Sequence, residues 1–299
     1  MGGLKSIPSS DTQPSELNNE FDKEWRKMPW GKNCEIEQKL RDFKLKHPSV
    51  RFVRILLIGD AGAGKSSFIN SVNNVFQKRI TSDALTNTTG GKSFTKTYQT
   101  YYIEGKDGSH LPFAFNDVMG LEERESGASS HDIIKALSGL LQDGFNFDLT
   151  SSKSMKDPGY RNNPSLEDEP CCLVNIIDAN SISRMEIGVI NKMNKIREAA
   201  SKLNMRQVII MTKPDLACPL VHQDIRKIYT SKKIKEKMQE CSNLLGIPMN
   251  HVFPVKNYHE EIDPDDDMDL LILKALDQIV HIAADKFKEQ SFKSGDKPE

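Results

Sequence analysis

The sequence predicts an α/β fold, with a mostly parallel central sheet and helices on both faces. Three observations carry the prediction. Short apolar runs of the kind buried on both faces recur at Phe52 to Ile58, Cys171 to Asp178 and Gln207 to Met211. Segments with helical spacing fall between them, as in Val189, Met193, Ile196, Ala200 and Leu203. The first run also leads into Gly59-Asp60-Ala61-Gly62-Ala63-Gly64-Lys65-Ser66, a G-x-x-x-x-G-K-[ST] loop, and a helical pattern follows it.

Taken in order, residues 1–20 are polar, bear Ser and Pro, and are expected to be disordered. Met1-Gly2-Gly3-Leu4-Lys5-Ser6 fits an N-myristoylation pattern, and a membrane association is expected only if Gly2 is acylated. Residues 21–50 are read as a docking segment. Phe21, Trp25, Met28 and Trp30 give it an aromatic mass rare in free tails, and a short amphipathic helix over Glu35 to Lys46 buries Ile36, Leu40 and Phe43. Pro48 ends that helix.

Residues 51–287 form the main domain. Strand Phe52 to Ile58 precedes a helix over Lys65 to Phe76. A Thr- and Gly-rich stretch, Thr81 to Lys96, reads as loop. Phe94 to Glu104 and Leu111 to Asn116 flank Lys106-Asp107-Gly108 and read as a hairpin. Ile133 to Leu141 is expected to be helical. Gly144 to Pro170 has few aliphatic residues and reads as a functional or disordered loop. Residues 221–245 read as a helix with a basic, solvated face, Val252 to Val255 as a final strand, and Ile272 to Phe287 as a final helix. Asp263, Asp265, Asp266, Asp267 and Asp269 lack the spacing of a calcium loop and read as a charged loop and helix start. Residues 288–299 are a polar tail.

Composition narrows the function classes. With 41 basic and 42 acidic residues no global field recruits DNA or a bilayer. Five scattered cysteines show no metal spacing and fit a reducing compartment. No apolar run reaches the roughly 18–20 residues that cross a membrane, so a cytoplasmic address is expected.

The glycine-rich loop points to a P-loop NTPase of the G-domain kind. Gly59, Gly62, Ala63, Gly64, Lys65, Ser66 and Ser67 form the expected phosphate cradle, with the amides of Gly62 through Ser66 turned inward at a helix N-terminus. Lys65 would neutralise the β- and γ-phosphates and the Ser66 hydroxyl would ligate Mg²⁺. Asp117 and Gly120, in Asn116-Asp117-Val118-Met119-Gly120, lie at a strand end about 50 residues later. They suit a second Mg²⁺ contact and a γ-phosphate sensor, although an Asp there also suits a helix cap. Thr212-Lys213-Pro214-Asp215 follows a strand as a guanine reader does. Asp215 would accept from guanine N1–H and the 2-amino group, and the Lys213 stem would lie along the base. Thr212 stands where an Asn is usual, which removes an amide that ties the reader to the P-loop; a turn begun by Pro214 is the alternative. The Lys256 backbone amide is a candidate for guanine O6. Thr88 or Thr89 is the candidate switch threonine, with Thr89 taken as a Mg²⁺ contact and catalytic candidate. Leu121, not Gln, follows Gly120, so no residue is evident to orient water. Glu122 or Glu123 could contribute, and hydrolysis is expected to be slow or completed by a partner or second subunit.

From about Trp25 to Lys286 the chain resembles the interferon-induced protein 44 family of vertebrates. The resemblance rests on residues 59–72, Tyr98 to Lys106, the Leu-Pro-Phe segment leading to Asp117 and Gly120-Leu121, Pro164-Ser165-Leu166, Val174 to Asp178 and residues 269–276. It implies a GTPase-like domain binding GTP or GDP with Mg²⁺, in a cytoplasmic antiviral or innate immune response. Longer members carry a further N-terminal domain that this chain is not expected to hold. Expected partners are guanine nucleotide and host or viral proteins, with a nucleotide-dependent homodimer as a further possibility and no DNA. Two other readings stay open: a non-enzymatic interaction module with structural or absent nucleotide, and an ATPase if Asp215 does not face the base.

Overall fold

The structure, a computed structural model, describes residues 19–45, 47–84, 96–105, 108–123, 127–147 and 159–294, with side chains in the last helix followed to 287. Gly2, Thr88 and Thr89 lie outside the described residues. Six strands form one sheet: β1 (Val53–Gly59), β2 (Gln99–Glu104), β3 (His110–Asp117), β4 (Cys172–Asp178), β5 (Arg206–Thr212) and β6 (Val252–Val255). Their order is β2-β3-β1-β4-β5-β6, so β1 and the loop that leaves it sit near the middle. Every neighbour pair is parallel except β2 with β3, which is the hairpin expected from Lys106-Asp107-Gly108. The parallel strands end on one side, so their C-terminal ends share a single crevice.

The central strands are apolar on both faces because both faces are covered. Leu56, Ile58, Leu173, Ile177, Ile209 and Met211 face α3 (Ser130–Leu137), α4 (Ile187–Lys202) and α7 (Lys232–Leu245). Ile55, Leu57, Cys172, Val174, Ile176 and Ile210 face α2 (Lys65–Gln77) and α8 (Asp266–Ser294), with Leu40 of α1 (Asn33–Arg41) joining them. Two short helices, α5 (Pro214–Ala217) and α6 (Pro219–Gln223), follow β5.

The acidic run before the last helix is a cap. The Asp265 carboxylate accepts from the Asp267 and Met268 amides, and Asp266, Asp267 and Asp269 occupy the first turn, where the dipole favours them. The α8 helix continues to Ser294, beyond the apolar pattern that ends at Phe287. All five cysteines are free thiols. No helix among the described residues is long and apolar enough to cross a membrane.

Several local expectations change: α1 stops at Arg41, well before Lys46 and Pro48, and α3 runs from Ser130 to Leu137 rather than from Ile133 to Leu141. Residues 221–245 are not one helix. Asp224 caps a 3₁₀ turn over Ile225–Tyr229 by accepting from the Arg226 amide, and Ser231 caps α7 by accepting from the Ile234 amide. Both are residues that compete locally with helix interiors. The flanks of the 144–170 stretch are core, not loose loop. Phe145, Phe147 and Tyr160 are buried and stack together, while residues 143–147 run beside the start of β2 through Tyr98–Phe145, Gly144–Tyr98 and Phe147–Lys96 backbone bonds. The basic face is only partly solvated. Lys227 pairs with Glu20 at 2.7 Å, Arg226 pairs with Asp267 at 2.8 Å, and Lys235 lies over the rings of Phe21 and Trp25.

That last contact belongs to a strap. The Phe21 and Trp25 amides donate to the Thr230 and Tyr229 carbonyls, so residues 20–30 run along the 3₁₀ turn and the start of α7. Arg26 fastens it. Its guanidinium donates to the Val252 and Met249 carbonyls, each at 2.7 Å, and stacks near Trp25, Tyr229 and Phe253. The five fixed donors of a guanidinium suit two carbonyls held in one place.

Removing Arg26 strands those carbonyls under the strap and empties the cation–π contacts. Arg26→Ala is expected to lower unfolding free energy by about 2–4 kcal/mol, whereas exposed Lys23→Ala stays within about 0.5 kcal/mol. Urea unfolding of the two variants beside the parent chain checks both.

Candidate nucleotide site

The loop between β1 and α2 is held from outside by its carbonyls. Lys213 Nζ donates to Gly62 O at 2.9 Å, Thr212 Oγ1 to Ala63 O at 2.7 Å, and Asn257 Nδ2 to Gly64 O at 3.1 Å. In a trans peptide the carbonyl and the following N–H point opposite ways. Fastening these three carbonyls therefore turns the next amides toward the other side. Among the described residues none accepts from the amides of Gly62, Gly64 and Lys65. These are unsatisfied donors at a helix start, the arrangement that binds phosphate. The Ala63 amide departs from expectation: it donates to Asp60 O at 3.2 Å and closes a turn within the loop. Gly64 caps α2 with φ 96°, and a Cβ there would stand 2.9 Å from Asn257 Nδ2. Only glycine meets both demands.

Lys65 is buried. Its Nζ donates back to Gly59 O at 3.3 Å and Asp60 O at 3.1 Å. Burial pushes the ammonium's pKa down, and Asp117, Asp60 and Glu122 pull the other way. Burial likewise pushes the Asp60 carboxyl up, with Glu186 and Glu122 adding to it, while the Ala61 amide and Lys65 oppose. Ser67 lies in the first turn of α2, and its carbonyl accepts from Ser71 Oγ.

Asp117 ends β3, and Ser66 Oγ donates to its Oδ2 at 2.6 Å. A hydroxyl and a carboxylate in contact are two hard oxygen donors, the set that suits Mg²⁺. The segment after Asp117 is zipped to the P-loop. Leu121 N donates to Gly59 O at 2.9 Å and Ala61 N to Leu121 O at 3.2 Å, and Gly120 passes so near that a Cβ would stand 2.7 Å from Ala61 Cα. The Leu121 side chain is fully buried in the face covered by α3 and α4. Glu122 is half-buried, and its carbonyl accepts from Lys192 Nζ at 2.6 Å.

The Thr212 to Asp215 end of the candidate site is tied to the loop as well. The expectation that Thr212 frees the reader from the P-loop is wrong, because its fully buried hydroxyl makes that tie through Ala63. Lys213 has φ 53° in the left-handed region, a strain that its two side-chain bonds hold in place. Its second partner is Asp178 Oδ2 at 2.8 Å. Asp215, half-buried in α5, has no hydrogen-bond partner for its carboxylate among the described residues. Lys256 pairs with Glu261 at 2.7 Å.

Sequence reasoning assigned no role to Asp178, and it named Asn257 only as part of the loop Val255-Lys256-Asn257, with the base contact given to the Lys256 amide. The rule that flagged Asp117, a carboxylate at the C-terminal end of a parallel strand, applies equally to Asp178. Asn257 follows a strand too, but its reach to Gly64 depends on sheet register.

With the geometry in view, sequence comparison adds the lineage. Human interferon-induced protein 44 is 36% identical over 253 residues, covering 84% of this chain and 56% of that protein. The mouse protein is 33% identical over 247 residues, covering 82% and 58%. The chain is a homologue of the interferon-induced protein 44 family. Human interferon-induced protein 44-like is 31% identical over 252 residues, covering 84% of this chain and 55% of that protein. The chain thus spans about half the length of the curated relatives it matches. No family model matches. Among solved structures, Toc33 from Arabidopsis thaliana in complex with GDP and Mg²⁺ aligns with TM-score 0.48 and 13% identity over 85% of this chain and 93% of that one. A probable GTP-binding protein, EngB, aligns with TM-score 0.42 and 10% identity over 78% and 99%.

Glu261 holds the loop that carries Lys256 and Asn257. Burial would raise its carboxyl, but the Lys256 ammonium and the His259 amide outweigh it and bring the pKa from 4.5 to about 2. A depressed carboxylate stabilises above the unfolded-state pKa and loses that effect as pH falls through the folded one. The stability gap between parent and Glu261→Gln is therefore expected to stay level from pH 8 to near pH 5, then close toward pH 2. Urea midpoints across that range test the sign.

Proposed function

We propose that the chain is a guanine-nucleotide-binding protein of the interferon-induced innate immune response, in the cytoplasm, with weak or partner-dependent GTP hydrolysis. One observation carries the reading. The phosphate loop and the base reader are fastened to each other through Gly62, Ala63 and Gly64, leaving loop amides and the Asp215 carboxylate unsatisfied on the ligand side. Unsatisfied polar groups at a strand-end crevice call for a ligand that supplies both anion and donors. A guanine nucleotide does. Asp215 would accept from its N1–H and 2-amino group, a pair adenine lacks, and a site built for that pair rejects adenine strongly.

The residues perform distinct tasks. The Gly62, Gly64 and Lys65 amides receive phosphate oxygens. Lys65 releases the Gly59 and Asp60 carbonyls and turns to the β- and γ-phosphates. Lys213, braced by Asp178, lays its stem along the base. Ser66 and Asp117 suit Mg²⁺, which when bound offsets phosphate charge. Leu121 cannot orient water, since its side chain points into the core. Glu122, whose charge acts on Lys65 and Asp60, is the nearer carboxylate candidate, beside Thr89 from outside the described residues.

A second reading has its own support. Lys65 rests on its own loop and Leu121 is bonded across it, so the loop's own groups satisfy it at its rear. A non-enzymatic module acting by binding host or viral proteins fits that economy.

Calorimetric titration with GTP, GDP and ATP plus Mg²⁺ separates the readings. Micromolar GTP or GDP binding, lost at least a hundredfold in Lys65→Ala, is expected; about 2.7 kcal/mol corresponds to that loss. Absence of binding sinks the guanine reading in favour of the module, and ATP preference sinks it in favour of an ATPase. Single-turnover assays of Leu121→Gln are expected to show no faster hydrolysis than the parent and a lower melting temperature, because the amide would enter a closed apolar core.

A further inference from the structure

A cavity outside the candidate nucleotide site lies between α1, the end of α2 and the β2–β3 hairpin. It encloses about 540 Å³, within the range of small-molecule sites. Cys34, Glu37, Gln38 and Arg41 of α1 form one wall, Lys78 another, and Leu111 closes the hairpin side.

The walls are charged, and unevenly so. Glu37 is buried and saturated. Its Oε1 accepts from Arg41 Nε and Nη2 at 3.0 and 2.8 Å, and its Oε2 from Lys78 Nζ at 2.8 Å. Arg41 Nη2 also donates to Phe76 O at 2.8 Å. Its Nη1 has no acceptor among the described residues. Lys78 keeps hydrogens beyond the one given to Glu37, with Asp269 Oδ2 at 3.6 Å as its next neighbour. Asp269 is buried and does not line the cavity. Two cations with spare donors therefore flank one carboxylate whose acceptors are already used. Such donors suit the carboxylates of a ligand.

Cys34, Glu37, Gln38 and Arg41 stand at i, i+3, i+4 and i+7, so they share one stripe of α1. Helical side chains lean toward the N-terminus, so Gln38 and Arg41 lean toward Cys34. The pairing of Arg41 back to Glu37 shows that lean. Gln38 gives its amide to Asp42 at 3.0 Å, which leaves Oε1 as an acceptor for an ammonium. At 1.5 Å per residue the stripe runs about 10 Å, the reach of an extended tripeptide. Cys34 is the exposed thiol of the five, and the other four are buried.

We propose that this cavity binds a short peptide bearing two carboxylates and an ammonium, of the glutathione class, and sets its sulfur against Cys34 for mixed-disulfide formation. The proposal goes beyond the nucleotide reading and does not depend on it. Arg41 and Lys78 hold the carboxylates, and Gln38 Oε1 holds the ammonium. The Cys34 thiolate attacks one sulfur of glutathione disulfide. The new S–S bond forms at Cys34 as the original S–S bond breaks. The second glutathione leaves as a thiolate and takes up the proton that Cys34 released. The small disulfide is the only oxidant, and a free thiol reverses the step.

The test treats the full chain with glutathione disulfide or with neutral 2-hydroxyethyl disulfide and follows each cysteine by peptide mass spectrometry. Each rate is divided by that of the same disulfide with free 2-mercaptoethanol, which removes intrinsic reactivity. Glutathione disulfide is expected to react with Cys34 about tenfold faster on this scale, an advantage that high salt erodes. Equal normalised rates, or an adduct formed elsewhere than Cys34, overturn the proposal and leave an exposed thiol with no site around it. Lys78→Gly removes one cation at φ 55°, a conformation that glycine adopts freely, so the fold is kept. That variant is expected to lose most of the glutathione advantage while its rate with the neutral disulfide holds; an unchanged advantage overturns the assigned recognition. S-methylglutathione cannot exchange, and on the parent chain it is expected to slow iodoacetamide alkylation of Cys34 several-fold. No protection at all overturns the binding step with no substitution to disturb folding.

Discussion

Everything at the candidate site depends on three hydrogen bonds received by consecutive carbonyls. Gly62, Ala63 and Gly64 accept from Lys213, Thr212 and Asn257, which arrive from two different strands. Peptide planarity does the rest, since a carbonyl fixed outward fixes its neighbouring amide inward. The loop is thus held in shape by groups that bond it on the side away from its free amides. Preorganised donors gain most in a crevice screened from water, where little reorganisation is needed when charge arrives.

The same loop is fastened at its rear by Leu121. In a fast hydrolase the residue after the glycine sensor would reach toward the γ-phosphate. Here two backbone bonds to Gly59 and Ala61 hold that residue down, and its side chain lies in the core with Val118 and Ala128. The segment is part of the scaffold at this point. In the proposed reading, slow hydrolysis has its cause in packing rather than in one substituted side chain, because the backbone would have to leave Ala61 before any side chain at 121 could approach water. The close passage of Gly120 over Ala61 makes that departure a concerted one.

What could be read in advance sorts by distance along the chain. The P-loop, its strand and its helix are a local pattern of about 25 residues, and their placement agrees with the structure within a residue or two. The hairpin and the apolar parallel strands are equally local. Thr212 was misjudged because the tie to Ala63 spans 149 positions and is made by a hydroxyl, so motif comparison saw only a missing amide. Asn257 reaches across 193 positions and Arg26 across more than 220. Neither carries a local signature, since each depends on how β5 and β6 register. The broken helix over 221–245 is a different failure. Asp224 and Ser231 are ordinary cap residues, and the competition of each with a helix interior is legible in the sequence.

The strap gives the β6 end of the candidate site a second support. Arg26 holds the carbonyls of Met249 and Val252, at the entrance to β6, while Asn257 acts from its exit. β6 is short, four residues paired on one side only, and such a strand gains little from its own ladder. Its position therefore rests on what fastens its ends: Arg26 before it, and Asn257, Tyr258 and Glu261 after it. Since Tyr258 also reaches Asp265 and Asp269 at the start of α8, the N-terminal strap, the last helix and the phosphate loop bear on one four-residue strand. A change at any of them reaches the loop after β6 and, through Asn257, the Gly64 carbonyl of the phosphate loop.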